Sequence, residues 1–418
     1  MKIIHIAQRY HEGFGYHENL LPRYQAALGH EVVLIASERR RGTLPGGEAA
    51  EPAAGEYMDG PVRIVRLPVR GEFKVRFVLF KGLESILERE RPDYIYHHGV
   101  AYPSLLTAAR YRRTHPSVFL AADNHADYAN SARPIAWRLA YYRGFWTGLI
   151  GRYAGDIDLV FGVTPERCVF AEKEFGVPAA MIRFLPMGAD VEAAEAPGAG
   201  PRGGEAAAWL ARGRDGQRRR HGAPLRLVTG GKWRAGRGLE ALVEAVRGQG
   251  AGVELGIFGS LCDEATRRLV AGAGSNVSFL GWQDRAGTMA LLGNADLAIW
   301  PGQHTTIIED AIAVGTSLVL RLYGTTSYMI RGNGLYLLDG TAAEIRRVLD
   351  LVEGDRGTMD AMRERAAAMR DLLSYRKVAA ESLAYAGDPS PKALHAMLMK
   401  DDLCRVEAPG IFGRRELN

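Results

Sequence analysis

The chain has 418 residues, 47% of them hydrophobic and 24% charged, and its formal net charge is +5. This is the composition of an ordinary globular protein, and the length suffices for two or three domains with a large core. No apolar run is long enough to cross a bilayer and the first residues lead directly into a strand pattern, so we expect neither a transmembrane helix nor a signal peptide.

The first part of the chain alternates strand and helix patterns. The predicted elements are a buried strand at Lys2–Ala7, a polar loop at Gln8–Tyr16 that contains Gly13 and Gly15, a helix at His17–Leu28 and a strand at His30–Ala36. This order predicts a parallel sheet, with ligands bound at the carboxyl edge of its strands. Residues 39–61 are rich in Arg, Gly, Pro and Ala and predict an exposed loop, and Val62–Leu67 predicts another strand.

Two later strands end in polar side chains. A short strand pattern ends in His97-His98-Gly99, and the next one, at Val118–Ala121, is followed by Asp123 and His125. Because successive parallel strands end at one edge, we expect His98, Asp123 and His125 to approach each other. Metal binding by His97, His98, Asp123 and His125 is conceivable, but no ligand spacing supports it, so we expect no metal.

Two stretches mix aromatic and basic residues. Glu72–Lys81 precedes a helix predicted at about Leu79–Glu90, and Arg133–Tyr153 is itself a predicted helix. The simpler interpretation is a core helix with a basic outer face, and the alternative is an interfacial patch in lipid headgroups. The aromatic residues concerned are Phe73, Phe77, Phe80, Trp137, Tyr141, Tyr142, Phe145 and Trp146, and the basic ones are Lys74, Arg76, Lys81, Arg133, Arg138, Arg143 and Arg152.

A second series of strand and helix patterns follows residues 192–223, whose Gly, Pro and Arg content predicts a linker. In the series, Thr229–Arg237 is a glycine-rich cationic loop between a strand at Leu225–Val228 and a helix at Leu239–Arg247. Its spacing is not that of a P-loop. The next predicted elements are a strand at Val253–Phe258 that opens into Gly259-Ser260, a helix at Asp263–Ala271, and a strand at Val277–Leu280 followed by Gly281-Trp282.

The stretch Leu297–Arg321 predicts a strand, a polar turn, a helix from Ile307 to Val314 and another strand. Backbone amides at the start of such a helix suit an anionic group such as a diphosphate. Glu309, in the first helical turn, has two interpretations that this stretch alone does not separate. It either holds sugar hydroxyls or forms a capping box with Thr306.

Taken in order, several motifs resemble those of family 4 glycosyltransferases with the GT-B fold. One departure is that Pro301 stands eight residues before Glu309, where the family has a first glutamate, and we expect His304 and Thr305 to occupy that space. A second is that only Gly259-Ser260 stands where the family has "GDG". The resembling motifs are Gly13-Phe14-Gly15, Leu28–Val32, Pro92–His98, Leu185–Asp190, Gly231-Lys232 with Arg237-Gly238, Val277–Gly281, Ile308–Gly315 and Ser374–Val378.

The resemblance implies an α/β protein with two Rossmann-like domains that face a central cleft. The implied domains are residues 1–191 on the acceptor side, a linker or insert at 192–223, a nucleotide-sugar domain at 224–373, and a crossover helix and tail at 374–418 that return to the first domain. The implied reaction is a retaining transfer from a nucleotide-diphosphate sugar to an acceptor hydroxyl in surface glycan or glycolipid assembly. No cofactor is expected beyond the nucleotide sugar, which is a co-substrate. No metal is expected, because Lys232 and Arg237 can replace one and no D-x-D pair appears where one would be needed.

The resemblance also assigns roles to residues. His98, Lys232, Arg237 and Glu309 form the expected catalytic set: the two cations neutralise the leaving diphosphate, Glu309 binds ribose hydroxyls, and His98 faces the donor sugar. Asp123 and His125 are expected on the acceptor side. Further donor-binding residues are expected to be Gly13, Gly15, Gly231, Gly259, Trp282, His304, Thr305, Thr306 and Ile307.

Location and partners follow from the same analysis. The three cysteines are widely spaced, which suits a reduced cytoplasm, and the two aromatic and basic stretches suit peripheral contact with the inner membrane face. We expect a lipid-linked or surface-glycan acceptor and no nucleic acid, because the basic residues scatter. A GT-B-fold nucleotide-sugar epimerase and a degenerate, non-catalytic glycosyltransferase-like partner are the alternatives.

Overall fold

The computed structural model describes residues 1–39, 53–73, 77–128, 131, 135–196, 200, 203–214 and 223–398. They form two compact units, one made of Met1–Gly188 with the helices from Tyr375 onward, the other of Ala189–Ser374. Each unit contains a largely parallel sheet, so the α/β class is confirmed.

The helices and strands alternate along both units, as buried parallel strands with crossover helices require. The strands are β1 Lys2–Ile6, β2 Glu31–Ser37, β3 Gly55–Asp59, β4 Val62–Leu67, β5 Val69–Phe73, β6 Phe77–Phe80, β7 Tyr94–His97, β8 Phe119–Asn124, β9 Leu159–Gly162, β10 Ile182–Phe184, β11 Leu225–Trp233, β12 Val253–Leu261, β13 Val277–Phe279, β14 Leu297–Trp300, β15 Ser317–Arg321 and β16 Gly334–Leu337. The helices are α1 His17–Ala27, α2 Leu83–Glu90, α3 Pro103–Thr114, α4 Ile135–Trp137, α5 Thr147–Tyr153, α6 Pro165–Phe175, α7 Val191–Glu195, α8 Gly204–Arg214, α9 Leu239–Arg247, α10 Glu264–Ala271, α11 Arg285–Gly293, α12 Ile307–Ala313, α13 Ala342–Gly354, α14 Arg356–Leu372, α15 Tyr375–Ala384 and α16 Ala393–Leu398.

The sheet of the first unit has eight strands in the order β10-β9-β8-β7-β1-β2-β4-β3. All neighbours are parallel except β3, which runs antiparallel to β4 at the edge. Strand β1 lies between β7 and β2, with Ile6 opposite both His97 and Ile35. The connections leave β1 in opposite directions, so the carboxyl ends of β1 and β7 form the crevice in which open α/β sheets bind ligands.

Helix α15 belongs to the first unit and packs on α1. The hydroxyl of Tyr375 lies 3.2 Å from Nδ1 of His17, and Nε2 of Gln25 donates to Oγ of Ser382 over 2.9 Å. The expected return of the helix after residue 374 to the first domain is therefore confirmed.

The sheet of the second unit has six parallel strands in the order β13-β12-β11-β14-β15-β16. Numbered within the unit, this is three-two-one-four-five-six, the order of dinucleotide-binding folds. Its crevice lies where β11 and β14 end. The loops after these two strands are the cationic loop and the loop before α12, which the sequence analysis selects for the donor.

Several predicted boundaries are wrong. Gly55–Asp59, predicted as loop, is the edge strand β3, which escapes detection because it is mostly exposed. Within the predicted linker 192–223, Gly204–Arg214 is a helix whose Trp209 is buried. Strand β11 continues through Trp233 and β12 through Leu261, so Thr229–Trp233 and Gly259-Ser260 are strand and not loop. Their glycines pair with one another, and this pairing is a tertiary feature that composition does not reveal.

The aromatic segment and the hairpin before α2 also differ from expectation. Arg138–Trp146, inside the predicted helix, is π-helical, and α2 begins at Leu83 because Phe77–Phe80 pairs with Val69–Phe73. The side chains of Tyr141, Tyr142 and Trp146 are buried, which supports the core interpretation for that part of the helix.

Candidate functional site

The two donor loops of the second unit are packed tightly against each other. The indole nitrogen of Trp300 donates to the carbonyl of Gly230 over 2.9 Å. A Cβ atom added to Gly302 would lie 2.1 Å from the carbonyl oxygen of Arg237, so only glycine fits there. The crevice therefore has a fixed backbone frame.

Lys232 and Arg237 lie together in this frame. Lys232 is exposed near the end of β11, and Nη1 of Arg237 donates to the carbonyl oxygen of Lys232 over 3.3 Å. Beside them, Gly231 and Gly259 are register partners on β11 and β12, and a Cβ atom added to Gly259 would lie 2.1 Å from the carbonyl of Gly231. The two cationic residues thus neighbour a pair of glycines. Because glycine has no side chain, a diphosphate can approach the backbone closely there.

Glu309 is bound to His304 and forms no capping box. Its Oε1 lies 2.9 Å from Nε2 of His304, whose backbone N–H donates to the hydroxyl of Tyr323 over 2.7 Å. Thr306 has a helical backbone and makes no side-chain cap bond, so the capping interpretation is wrong. His304 is bonded directly to the glutamate that the resemblance aligns with the second of the family's paired glutamates.

The second carboxylate oxygen of Glu309 is buried and has no hydrogen-bond partner within the described part of the chain. The residue as a whole is 4% exposed. A buried carboxylate oxygen without a donor is unfavourable by about 1–3 kcal/mol, which calls for an explanation. A hydroxyl of a bound ligand would supply the missing donor after a local shift of the loop.

We expect Glu309→Gln to weaken donor binding by about 1.5–3 kcal/mol, because a charged acceptor becomes neutral while the bond to His304 can persist. Calorimetric titration with a nucleoside diphosphate and thermal melting measure the two effects. Glu264→Gln, the same change in the first turn of α10, is the control and should leave binding unchanged. Equal donor affinity in both variants would show that Glu309 is not a ligand.

The remaining donor candidates lie at the same carboxyl edge. Trp282 follows β13 and is 40% exposed, and the backbone N–H of Gly259 donates to the carbonyl of Gly281 over 2.9 Å. Thr305, Thr306 and Ile307 are half-buried. Helix α12 has seven residues, so its amides add less than a long helix would.

A salt bridge that the sequence analysis missed fixes α12. The guanidinium of Arg285 lies 2.9 Å from a carboxylate oxygen of Asp190 and 3.1 Å from one of Asp310. Asp190 also caps α7, because its side chain accepts from the backbone of Ala193. The residue next to Glu309 is thereby tied to α7 and α11.

The first unit has a cavity of about 440 Å³ at the crevice between β1 and β7. Residues with polar side chains in its lining include Gln8, Arg9, Glu18, His98, Tyr102 and His125.

Gly13 and Gly15 are not among the lining residues in the part of the chain described. Gly13 has φ = 77°, so its role in the loop is conformational, and donor contact by either glycine stays a prediction.

Asp123 is the centre of a buried histidine cluster. Its Oδ2 lies 3.2 Å from Nδ1 of His98, 3.2 Å from Nε2 of His125 and 3.8 Å from Nε2 of His17. Its Oδ1 accepts from the backbone of Gly99 over 2.7 Å. Burial alone would raise the pKa of Asp123, but His125 and His98 hold that pKa well below its usual value. The expected approach of His98, Asp123 and His125 is present.

Both ring nitrogens of His98 have protein partners. Nδ1 faces Asp123, and Nε2 lies 3.0 Å from Nδ1 of His5. Direct bonding of His98 to a sugar hydroxyl would compete with these contacts and stays a prediction.

His5 and His17 were missed by the sequence analysis, although a histidine inside the apolar run of β1 is an unusual residue for a buried strand.

In the two stretches that mix aromatic and basic residues, some side chains lie in the core and others are exposed. Phe77 stacks on the buried Trp146, whereas Leu79, Ile135, Leu139 and Phe145 are about half exposed. Arg143 is held by Glu174 over 2.8 Å. Lys74, Arg76 and Arg133 lie outside the described residues, and of Phe73 only the backbone is described.

Residues 16–193 match the sequence model of Glycosyltransferase Family 4. No curated protein sequence matches the chain. Three solved structures share its fold over nearly their whole length. They are a glycosyltransferase from Rickettsia africae (13% identity, 93% of this chain and 98% of that chain, TM-score 0.63), Anabaena HepE in complex with UDP and glucose (16%, 92% and 99%, 0.61), and WaaG, a glycosyltransferase involved in lipopolysaccharide biosynthesis (15%, 92% and 100%, 0.57).

The family model supports the resemblance over residues 16–193, and the solved structures confirm the expected fold class. At such low identity the solved structures bear on the fold alone. Among the helices of the described residues, none combines the length and the apolarity needed to cross a membrane.

Proposed function

We propose that this chain, whose residues 16–193 match the model of Glycosyltransferase Family 4, is a glycosyltransferase that transfers a sugar with retention from a nucleotide-diphosphate sugar to an acceptor hydroxyl. The observation that carries the proposal is the pair Lys232 and Arg237 beside Gly231 and Gly259, at the crevice of a sheet with dinucleotide-binding strand order. A diphosphate bound at this crevice would contact both the glycine backbone and the two positive charges.

The two cations are proposed to stabilise the leaving diphosphate. Negative charge builds up on the diphosphate as its bond to the sugar breaks. Cations that are already in position stabilise this charge in the transition state without the cost of reorganising the site. They also take the place of a metal ion, so the reaction needs no metal and no cofactor.

Glu309 is proposed to hold the ribose. Its buried, unpartnered oxygen is an acceptor, and a sugar diol offers donors. His304 fixes the other oxygen and so orients the carboxylate. Because Anabaena HepE shares the fold and is described in complex with UDP, UDP is the first nucleotide to test.

The acceptor is proposed to bind in the cavity of the first unit, near Asp123 and His125. The cavity combines charged groups with the rings of Tyr102 and Tyr142, a mixture that suits a glycan with hydroxyl groups and apolar faces. His125, which lines the cavity, would orient the attacking hydroxyl, and the buried Asp123 would act through its contact with His125.

The nucleotide site is tested by calorimetric titration with UDP and UMP. We expect UDP to bind more tightly by about 1.5–3 kcal/mol, because its second phosphate gains charge-assisted hydrogen bonds from the cation pair. Equal affinities for UDP and UMP would contradict a diphosphate site at Lys232 and Arg237.

The acceptor is further proposed to be lipid-linked or a growing surface glycan, reached from the cytoplasmic face of the membrane. The half-exposed Leu79, Ile135, Leu139 and Phe145 on the first unit support this, since apolar side chains enter the headgroup boundary. Each basic residue near an anionic leaflet would add about 1 kcal/mol.

Vesicle co-sedimentation tests the membrane contact. We expect recovery with anionic vesicles at low salt, less at high salt, and less with neutral vesicles. Phe145→Ser should reduce recovery, whereas Leu338→Ser, an exposed leucine of the second unit, should not. Equal recovery in the supernatant under all four combinations of lipid and salt would leave a soluble acceptor.

A further inference from the structure

Three imidazole nitrogens lie around one buried carboxylate oxygen at the crevice of the first unit. Oδ2 of Asp123 lies 3.2 Å from Nδ1 of His98 and 3.8 Å from Nε2 of His17. Nε2 of His125 lies 3.2 Å from the same oxygen. The atoms offered by His17, His98 and Asp123 are all within 4.8 Å of one another. Ligands at about 2.0–2.1 Å from a tetrahedral metal ion are about 3.3 Å apart, so these separations are close to those of a coordination shell.

The four side chains come from different parts of the chain. His17 opens α1, His98 follows β7, Asp123 lies near the end of β8, and His125 comes directly after that strand. They meet because β8, β7 and β1 are parallel neighbours whose carboxyl ends share one edge. The spacing of ligands in the sequence, on which the expectation of no metal rests in part, does not reveal a site assembled in this way.

Further hydrogen bonds orient these side chains through their other polar atoms. Nε2 of His98 lies 3.0 Å from Nδ1 of His5, and Nδ1 of His17 lies 3.2 Å from the hydroxyl of Tyr375. The second oxygen of the carboxylate accepts from the backbone N–H of Gly99 over 2.7 Å. Metal-binding histidines and carboxylates are held by such outer contacts, which fix each ring and aim the remaining atom at the ion.

Tyr96 competes with an ion for one of these atoms. Its hydroxyl lies 3.2 Å from Nε2 of His17. The same hydroxyl is within hydrogen-bond reach of the carboxylate of Asp123. It can therefore donate to that carboxylate while Nε2 of His17 binds a metal, so the contact with Tyr96 is compatible with a coordination site.

We propose that His17, His98, Asp123 and His125 bind one divalent transition-metal ion, and zinc is the first to test. Imidazole and carboxylate ligands both bind zinc, and four protein ligands give the tetrahedral shell of a structural site. The first three side chains are buried. The side chain of His125 is 38% exposed and lines the cavity, so it closes the shell from that side after a small movement of its ring.

The ion would stabilise the crevice and take no part in the transfer step. It would join α1 to the ends of β7 and β8 and hold His125 in the cavity wall. The leaving diphosphate is assigned above to Lys232 and Arg237 of the second unit, so the site does not depend on the proposed transfer. Because three of its ligands are buried, the ion is expected to stay bound during a brief treatment with a chelator, and chelator-resistant turnover is compatible with it.

The metal content of the full-length protein tests the site. The chain is expressed without a polyhistidine tag in medium that contains zinc, and it is purified without a chelator. We expect about one equivalent of zinc per chain, with nitrogen and oxygen neighbours at about 2.0–2.1 Å in the X-ray absorption spectrum. Less than about a tenth of an equivalent of any transition metal after incubation with zinc would overturn the proposal.

Substitutions determine where the ion binds. His17→Ala and His125→Ala should each lose zinc during prolonged dialysis against a chelator that leaves the wild type loaded. His115→Gln changes a histidine of the same unit at the end of α3, 36% exposed, and should retain zinc. The partly exposed His125 is the change expected to disturb the fold least, and circular dichroism checks folding. Wild-type retention of zinc by both alanine variants would overturn the proposal.

His5 tests the outer contact of His98. We expect His5→Leu, which removes the partner of Nε2, to lower the affinity for zinc by about 10–100-fold, and His5→Gln, which keeps a polar partner, to restore part of it. Competition with a zinc-binding dye measures both. An unchanged affinity in His5→Leu would overturn the assignment of His98 as a ligand. Zinc is measured without turnover, so failure of this proposal and failure of the proposed function are distinguishable.

Discussion

A variant with both Lys232 and Arg237 replaced by alanine is expected to lose about 4 kcal/mol of nucleoside-diphosphate binding, close to a thousand-fold in affinity. Each cation contributes about 2 kcal/mol as a charge-assisted contact, and the single variants should show about half the loss. The guanidinium of Arg237 donates to the backbone carbonyl of Lys232, which Lys232→Ala retains, so the two single effects are expected to add approximately to the double effect.

Arg234→Ala is the matched control for this loop. Arg234 is an exposed cation between the two proposed ligands, and its loss changes the net charge equally. We expect only a small, salt-dependent fall in affinity for Arg234→Ala. If the double variant binds as tightly as Arg234→Ala, the diphosphate does not lie on Lys232 and Arg237.

Replacing Arg66 by leucine is expected to destabilise the protein by about 3 kcal/mol. This fully buried guanidinium donates to the carbonyls of Ser37 and Tyr10 over 2.8 and 2.9 Å, to the hydroxyl of Tyr57 over 2.9 Å and to Glu12 over 2.7 Å. Its removal leaves several acceptors unpaired, a loss comparable to breaking a buried ion pair. The loop that carries Gln8 and Arg9 to the cavity would lose its anchor, so activity should fall as well.

The pH dependence of this loss follows from Glu12. Burial opposes its ionisation, but hydrogen bonds from Tyr57 and Arg66 lower the pKa of Glu12 to about 2. A lowered pKa stabilises the fold above the unfolded-state value and loses that contribution as the pH falls towards 2. The difference between wild type and Arg66→Leu should thus be largest at neutral pH and shrink in acid.

Denaturant unfolding measures the effect, and Arg63→Leu is the control on the same strand. Arg63 pairs with Glu90 and Glu56 but keeps 29% of its side chain exposed. We expect about 1 kcal/mol for its loss. Equal destabilisation by the two substitutions would contradict the anchoring role of Arg66.

The fold is largely predictable because buried parallel strands are continuous apolar runs. Strands β1, β2 and β14 are largely such runs, and the carboxyl ends of β11 and β14 place Lys232, Arg237 and Glu309 at one edge of the second sheet. Strand β3 is not predictable in this way, because an antiparallel edge strand is mostly exposed and lacks an apolar face.

The histidine cluster is predictable only in part. His98 and Asp123 follow strand ends, so their approach can be inferred from topology. His5 and His17 reach them because β1 is central and α15 covers α1, and these contacts join residues far apart in the sequence. His5 also contacts Gln25, whose hydrogen bond to Ser382 spans most of the chain.

The most direct test of the central proposal is turnover of a nucleotide-sugar panel by the full-length protein, with and without a crude lipid acceptor fraction. We expect one donor to yield free nucleoside diphosphate and a glycosylated acceptor, with release greatly increased by the acceptor and unaffected by a metal chelator. Isomerisation of the donor sugar without an acceptor, or no turnover of any donor although UDP binds, would contradict a glycosyl transferase acting at this site.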